Sequence, residues 1–141
     1  MTIGAILQGR TGAIISAGPS DTVRTVVDLL AQNRIGAVPV VEGDAIVGIF
    51  SERDIVRLLS SYGPETLDRS LDEVMTKSPV TCDTSMAVIG ALSQMTQKRI
   101  RHLPVVDGGR LVGFISIGDL VKYRIDRIEA EAAAMRDYIA S

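Results

Sequence analysis

The chain has 141 residues, a formal charge of -2, one cysteine and one histidine, and is 46% hydrophobic but only 4% aromatic. That length suits one domain or two small motifs sharing an aliphatic core, and the charge lacks the basic stripe on which nucleic-acid affinity rests. No apolar run nears the roughly 20 residues of a spanning helix, no leader pattern opens the chain and the lone Cys82 forms no intramolecular disulfide, so a soluble, cytoplasmic protein binding neither nucleic acid nor membrane is expected.

In chain order, Ile3, Ile6 and Leu7 share one face of a short N-terminal helix that stops at Gly9. A β-branched run over 13–16 reads as a strand, and Gly18 to Asp21 supply a breaker and a choice of caps. Helical spacing follows at Val23, Val26, Val27 and Leu30. Two apolar runs, 37–41 and 45–50, are joined by Glu42, Gly43 and Asp44 and form a hairpin, because glycine suits the positive φ of a tight turn. Ser51 then opens a helix carrying Ile55, Val56, Leu58 and Leu59. Polar residues 60–70 read as a linker, with a helical turn over 71–75.

The same order then returns: strand 80–82, caps at 83–85, a helix through Val88, Ala91, Leu92 and Met95, a hairpin over 103–115 and a helix from Ser116. Pro39 and Pro104, Gly48 and Gly113, and Asp54 and Asp119 are each 65 residues apart, so the two copies align without a gap. The predicted fold is α+β, two β-α-β-β-α units with a short N-terminal and a long C-terminal helix. Its parts are 1–62 (N-terminal segment and first unit), 63–75 (linker and short helix), 76–123 (second unit) and 124–141 (helix extension). Along the last helix Val121, Ile125, Ile128, Ala132, Met135 and Ile139 recur at spacings of four and three, the seam of a helix pair. Either the chain's own N-terminal helix or a partner subunit would cover that seam.

Catalytic constellations are nearly absent. The chain has no phosphate loop with Lys and Ser/Thr, no GxGxxG after a strand and no nucleophile elbow. His102 is the only base for a nucleophile pair and no metal-ligand cluster stands out, so neither catalysis nor a catalytic cofactor is expected. The strongest pattern is Gly48-x-x-Ser51-x-x-Asp54, repeated as Gly113-x-x-Ser116-x-x-Asp119. Ser followed three residues later by an acid is a helix-capping pattern. The same pattern presents a hydroxyl and a carboxylate beside a glycine, suited to the diol of a ribose, and Arg53, Arg99, Arg101 and His102 lie near in sequence to take phosphate. Both readings stand at this level.

The duplicated apolar-Pro-Val-Val, a Gly-containing turn, then Gly-apolar-apolar-Ser-x-x-Asp resembles the cystathionine beta-synthase (CBS) domain, and two in tandem resemble a Bateman module. The resemblance spans about residues 10 to 123. Stand-alone bacterial members look similar even in Ser51-Glu52-Arg53-Asp54-Ile55-Val56 and Arg101-His102-Leu103-Pro104-Val105. It implies a regulatory sensor of adenosyl ligands rather than an enzyme: two units packed about a pseudo-twofold axis, two clefts, and a homodimeric disc relaying occupancy to an effector protein. By the same resemblance Asp54 and Asp119 would hold ribose, Ser51 and Ser116 ribose or phosphate, and Arg53, Arg101 and His102 phosphate. Adenine would lie near Ile15 and Ser16 or Val80 and Thr81, and near Ala37, Val38 and Pro39 or His102, Leu103 and Pro104. AMP is the leading ligand, with ADP, ATP, NAD(H) and S-adenosylmethionine as alternatives. Glu52 and Arg53 stand where the second copy has Ile117 and Gly118, and Gly36 and Ala37 where it has Arg101 and His102, so the clefts are expected to differ.

Overall fold

The computed structural model describes residues 1–10 and 12–140. Helix α1 (Ile3–Gln8) is followed by α2 (Val23–Asn33), β1 (Ala37–Glu42), β2 (Ala45–Ser51) and α3 (Glu52–Tyr62). A 3-10 turn over Pro64–Asp68, α4 (Leu71–Val74) and the two-residue β3 (Thr76–Lys77) lead to α5 (Val88–Lys98), β4 (His102–Asp107), β5 (Arg110–Ser116) and α6 (Ile117–Ala140). This is the mixed helix-and-strand architecture that the duplication predicts, with its long last helix.

Both hairpins are antiparallel, with Gly43 at φ 62 and Gly108 at φ 58 in the turns. Each register slips once, between Val40 and Val41 and between Val105 and Val106, the same place 65 residues apart. The two hairpins meet along β2 and β5. Equivalent elements facing each other is what a pseudo-twofold axis between the units requires.

The opening strand expected over 13–16 does not form, a lone bridge residue standing just beyond it at Ala17, and that expected over 80–82 shrinks to Cys82. Ala17 and Cys82 each form one parallel bridge, to Val40 and Val105. Ala17 N–H donates to the Pro39 carbonyl at 3.0 Å and Val41 N–H to the Ala17 carbonyl at 2.8 Å, and Cys82 repeats both bonds with Pro104 and Val106. The next rung of a parallel ladder would need the amide of Pro39 or Pro104, and proline has none. The ladders stop there.

The apolar residues form two cores. One gathers Val23, Val26, Leu30, Val38, Val40, Phe50 and Leu71; the other Val88, Ala91, Met95, Leu103, Val105, Ile115 and Leu120, with Ile3 among them. The leading helices are exchanged: α1 seals the second unit and α4 the first. Ile3 N–H donates to the Met86 carbonyl at 2.8 Å, and Leu71 N–H to that of Asp21 at 2.9 Å. Gly4 reaches Thr84 as Asp72 reaches Pro19, both at 2.9 Å. Segment 69–75 therefore repeats 1–7 at an offset of 68, not 65. The stretch read as a linker is packed: Thr66 is fully buried, its hydroxyl donates to the Leu58 carbonyl at 3.2 Å, and Leu67 joins the first core.

Two helix starts also move. Thr22, one residue past the expected caps, accepts from Thr25 N–H. Ser85 N–H closes a turn onto Asp83, and α5 begins only at Val88. In α6, Leu120 is buried and Tyr123 half-buried on the second core, whereas the seam from Val121 to Ile139 is exposed. The N-terminal helix does not cover it, because Ile3, Ile6 and Leu7 all turn to the second core. No helix among the described residues is long and apolar enough to cross a membrane.

Candidate functional site

Two clefts flank the axis, and each draws on both units. The first, about 340 Å³, joins Ser51, Glu52, Arg53, Asp54 and Arg57 of the first unit to Ser78, Pro79, Val80, Arg99, Arg101 and His102. The second, about 550 Å³, joins Phe114, Ser116 and Asp119 to Arg10, Ile14, Ile15, Arg34, Gly36 and Ala37. Both volumes fall in the usual range of small-molecule sites, about 300–1,000 Å³. The helix-start acid of one unit thus faces the opening segment of the other.

The Ser-x-x-Asp joints are capped helix starts. Ser51 N–H donates to Asp54 Oδ2 at 3.0 Å and Asp54 N–H to Ser51 Oγ at 3.2 Å; Ser116 and Asp119 repeat this at 2.8 and 3.1 Å. Capping occupies Oδ2 in both and leaves Oδ1 outside the cap. It settles the helix ends without using up the carboxylates.

The acids then diverge. Asp119 Oδ2 also meets Arg10 Nη2 at 2.8 Å, and Arg10 Nη1 donates to the Phe114 carbonyl at 3.1 Å. Burial pushes the Asp119 carboxyl up, but the Ser116 amide and hydroxyl and the Arg10 guanidinium together outweigh this and hold it below its ordinary value. Arg10 is matched at the offset of 68 by Ser78, so Asp54 has no such partner and lies 3.7 Å from Arg57. The first cleft collects Arg53, Arg57, Arg99 and Arg101, and the second Arg10 and Arg34.

His102 lines both clefts and stacks on Phe114, ring centroids 5.5 Å apart at 9°. Burial lowers its pKa and Arg101 adds to that, against the opposing pull of Asp119 and Glu52. The ring is thereby biased toward its neutral form, in which one nitrogen donates and the other accepts.

The other expected positions fall into three groups. Ile15, Ala37 and Val80 line the clefts. Val38, Pro39, Leu103 and Pro104 are buried beneath them, and Ser16 and Thr81 are exposed outside both linings. The motif glycines serve packing inside the chain. A Cβ on Gly48 would lie 2.5 Å from Met75 Sδ and 2.9 Å from the Thr76 carbonyl, and one on Gly113 would lie 2.6 Å from a Leu7 methyl.

Arg10, Arg34 and Arg57 were not singled out from sequence. Arg34 was legible in principle, because Arg34-Ile35 and Arg99-Ile100 repeat at the offset of 65. Both arginines end their helices in the left-handed region, at φ 53 and φ 54, and Ser78 lies at φ 51. These are the non-glycine residues with positive φ among those described, and each lines a cleft. Such conformations cost about 1–3 kcal/mol and gather where a site demands them. No cluster of His, Cys, Asp and Glu among the described residues suits a metal ion.

A tandem of sheet-bearing units with paired inter-unit clefts defines a class, and comparison with known proteins places the chain within it. The family model for the CBS domain matches residues 10–61 and 71–126, and the chain belongs to that family as a tandem pair. It is 31% identical over 123 residues to the CBS domain-containing protein YhcV of Bacillus subtilis, covering 87% of each chain. Among solved structures it is similar to a CBS-domain containing protein from Agrobacterium tumefaciens, with a TM-score of 0.83, 34% identity and coverage of 88% of this chain and 99% of that one. It is also similar to a CBS domain protein from Pyrobaculum aerophilum complexed with AMP, with a TM-score of 0.75, 28% identity and coverage of 84% and 89%.

Proposed function

We propose that the chain is a regulatory module, not an enzyme, that binds an adenine nucleotide in its inter-unit clefts and relays occupancy to an effector protein. AMP is the first ligand to test, followed by ADP, ATP, NAD(H) and S-adenosylmethionine. The observation that carries this reading is the pairing, in each cleft, of a helix-start carboxylate whose Oδ1 lies outside the cap, an apolar wall and an arginine in a strained left-handed cap. A carboxylate accepts from both hydroxyls of a ribose, the guanidinium groups meet phosphate in bidentate geometry, and Ile15 or Val80 offers adenine an apolar wall. The AMP held by the Pyrobaculum relative supports the ligand class. Relay follows only if nucleotide binds one arrangement of the units better than another.

Titration calorimetry with AMP, ATP and NADH tests this. Saturable heat with one of them is expected. The capping bonds favour a second reading, a ligand-free scaffold in which Ser and Asp only end helices. Silence with all three would select the scaffold, and turnover abolished by His102→Ala would select an enzyme.

A further inference from the structure

The seam on α6 is continuous and uncovered: Val121 is 44% exposed, Ile125 49%, Ile128 50%, Met135 59% and Ile139 74%. Written as a heptad, Ile125, Ala132 and Ile139 are a positions and Val121, Ile128 and Met135 are d positions. The flanks carry a definite charge pattern. Lys122, Glu129 and Arg136 fall at e, and Arg124 and Glu131 at g.

We propose that α6 pairs with α6 of a second copy as a parallel, in-register two-stranded coiled coil. In that arrangement a g residue meets the e residue five places on in the facing helix. Arg124 meets Glu129 of the partner subunit, Glu131 meets Arg136 of the partner subunit, and the two-fold axis repeats both pairs. Every such flank contact between charged residues is between opposite signs. Glu131 already lies 3.7 Å from Arg127 on its own helix, and a carboxylate has acceptor sites for both.

An antiparallel pair is disfavoured. Full overlap of the seam sets Glu129 against its own copy, Glu131 against its own copy and Lys122 against Arg136. Sliding by one heptad relieves those clashes but leaves Met135 and Ile139 outside the seam. Only the parallel register buries the whole stripe and matches the charges. The pairing rests on α6 alone and holds whether or not nucleotide binds.

The chain itself provides a clean background for cross-linking, because Cys82 is buried and its thiol is pushed up to about 11. An Ile139→Cys variant, at an a position, should oxidise to a covalent dimer of twice the 15.1 kDa chain mass. Asp137→Cys, on the opposite face, should not. By sedimentation, Arg136→Glu should weaken self-association roughly tenfold, and adding Glu131→Arg should restore it. A monomer, a mass other than twice the chain, a dimer that does not cross-link at position 139, or indifference to Arg136→Glu overturns the proposal.

Discussion

The Asp119 carboxylate closes a helix start, pairs with Arg10 and lines a cleft, and these roles separate on substitution. Loss of the cap alone costs about 0.5–2 kcal/mol of stability. If the carboxylate also holds a diol, Asp119→Ala weakens nucleotide binding at its cleft by about 10- to 100-fold, the range for charge-assisted hydrogen bonds. Calorimetry beside urea unfolding keeps the two losses apart. Arg10 and Asp119 are 39% and 38% exposed, so their pairing contributes about 0–1 kcal/mol at most. Arg10→Ala should barely change the unfolding midpoint yet raise the Asp119 pKa, as carboxyl NMR titration would read. The lowered carboxyl stabilises the fold above its unfolded value, and that contribution is lost as acid protonates it through the folded one. His102 has the opposite sense. Its lowered pKa makes the unfolded chain take the proton first, so stability falls as pH drops below the unfolded value, about 6.5. In His102→Gln that slope should flatten.

The motif glycines were legible as a repeated position, but sequence did not say what packs against them. The neighbours are Met75 and Leu7, brought there by exchanged helices. Gly48→Ala presses on the Thr76 backbone as well as on Met75, whereas Gly113→Ala meets only the flexible end of Leu7. Overpacking of this kind costs about 1–3 kcal/mol. Gly48→Ala should lie at the upper end and Gly113→Ala below it in urea unfolding.

Among elements, both hairpins and the helices behind them follow from turn glycines and apolar periodicity, which act over a few residues. The exchange of α1 and α4 was hidden because an apolar face tells that a helix is covered, not by which unit. Its one trace is the offset of 68 in place of 65, too faint to read in a six-residue helix. The truncated opening strands were hidden for a different reason: the missing rung belongs to Pro39 and Pro104, on the neighbouring strand. The exchange predicts an effect at a distance along the chain. Ile3→Ala should destabilise by about 2–5 kcal/mol and lower amide protection in β4 and β5 more than in β1 and β2, read by hydrogen exchange.

For the whole molecule, the duplication made two units legible, the family resemblance implied two clefts, and the uneven basic residues made them unequal. Which wall each acid meets was not legible: Asp54 lies with Val80 and His102, and Asp119 with Ile15 and Ala37, residues far apart in the chain. The first cleft has more arginines and an acid 3.7 Å from Arg57; the second is wider, with its acid held closer, 2.8 Å from Arg10. Under the proposed function, those differences predict unequal occupancy. The most direct test is titration calorimetry of AMP into the wild-type chain, Asp54→Ala and Asp119→Ala. The account predicts saturable binding to the wild type and weaker binding in the variant of each occupied cleft, by more than its cap loss explains. No heat with AMP, ATP or NADH, or one unchanged affinity across all three chains, would contradict it.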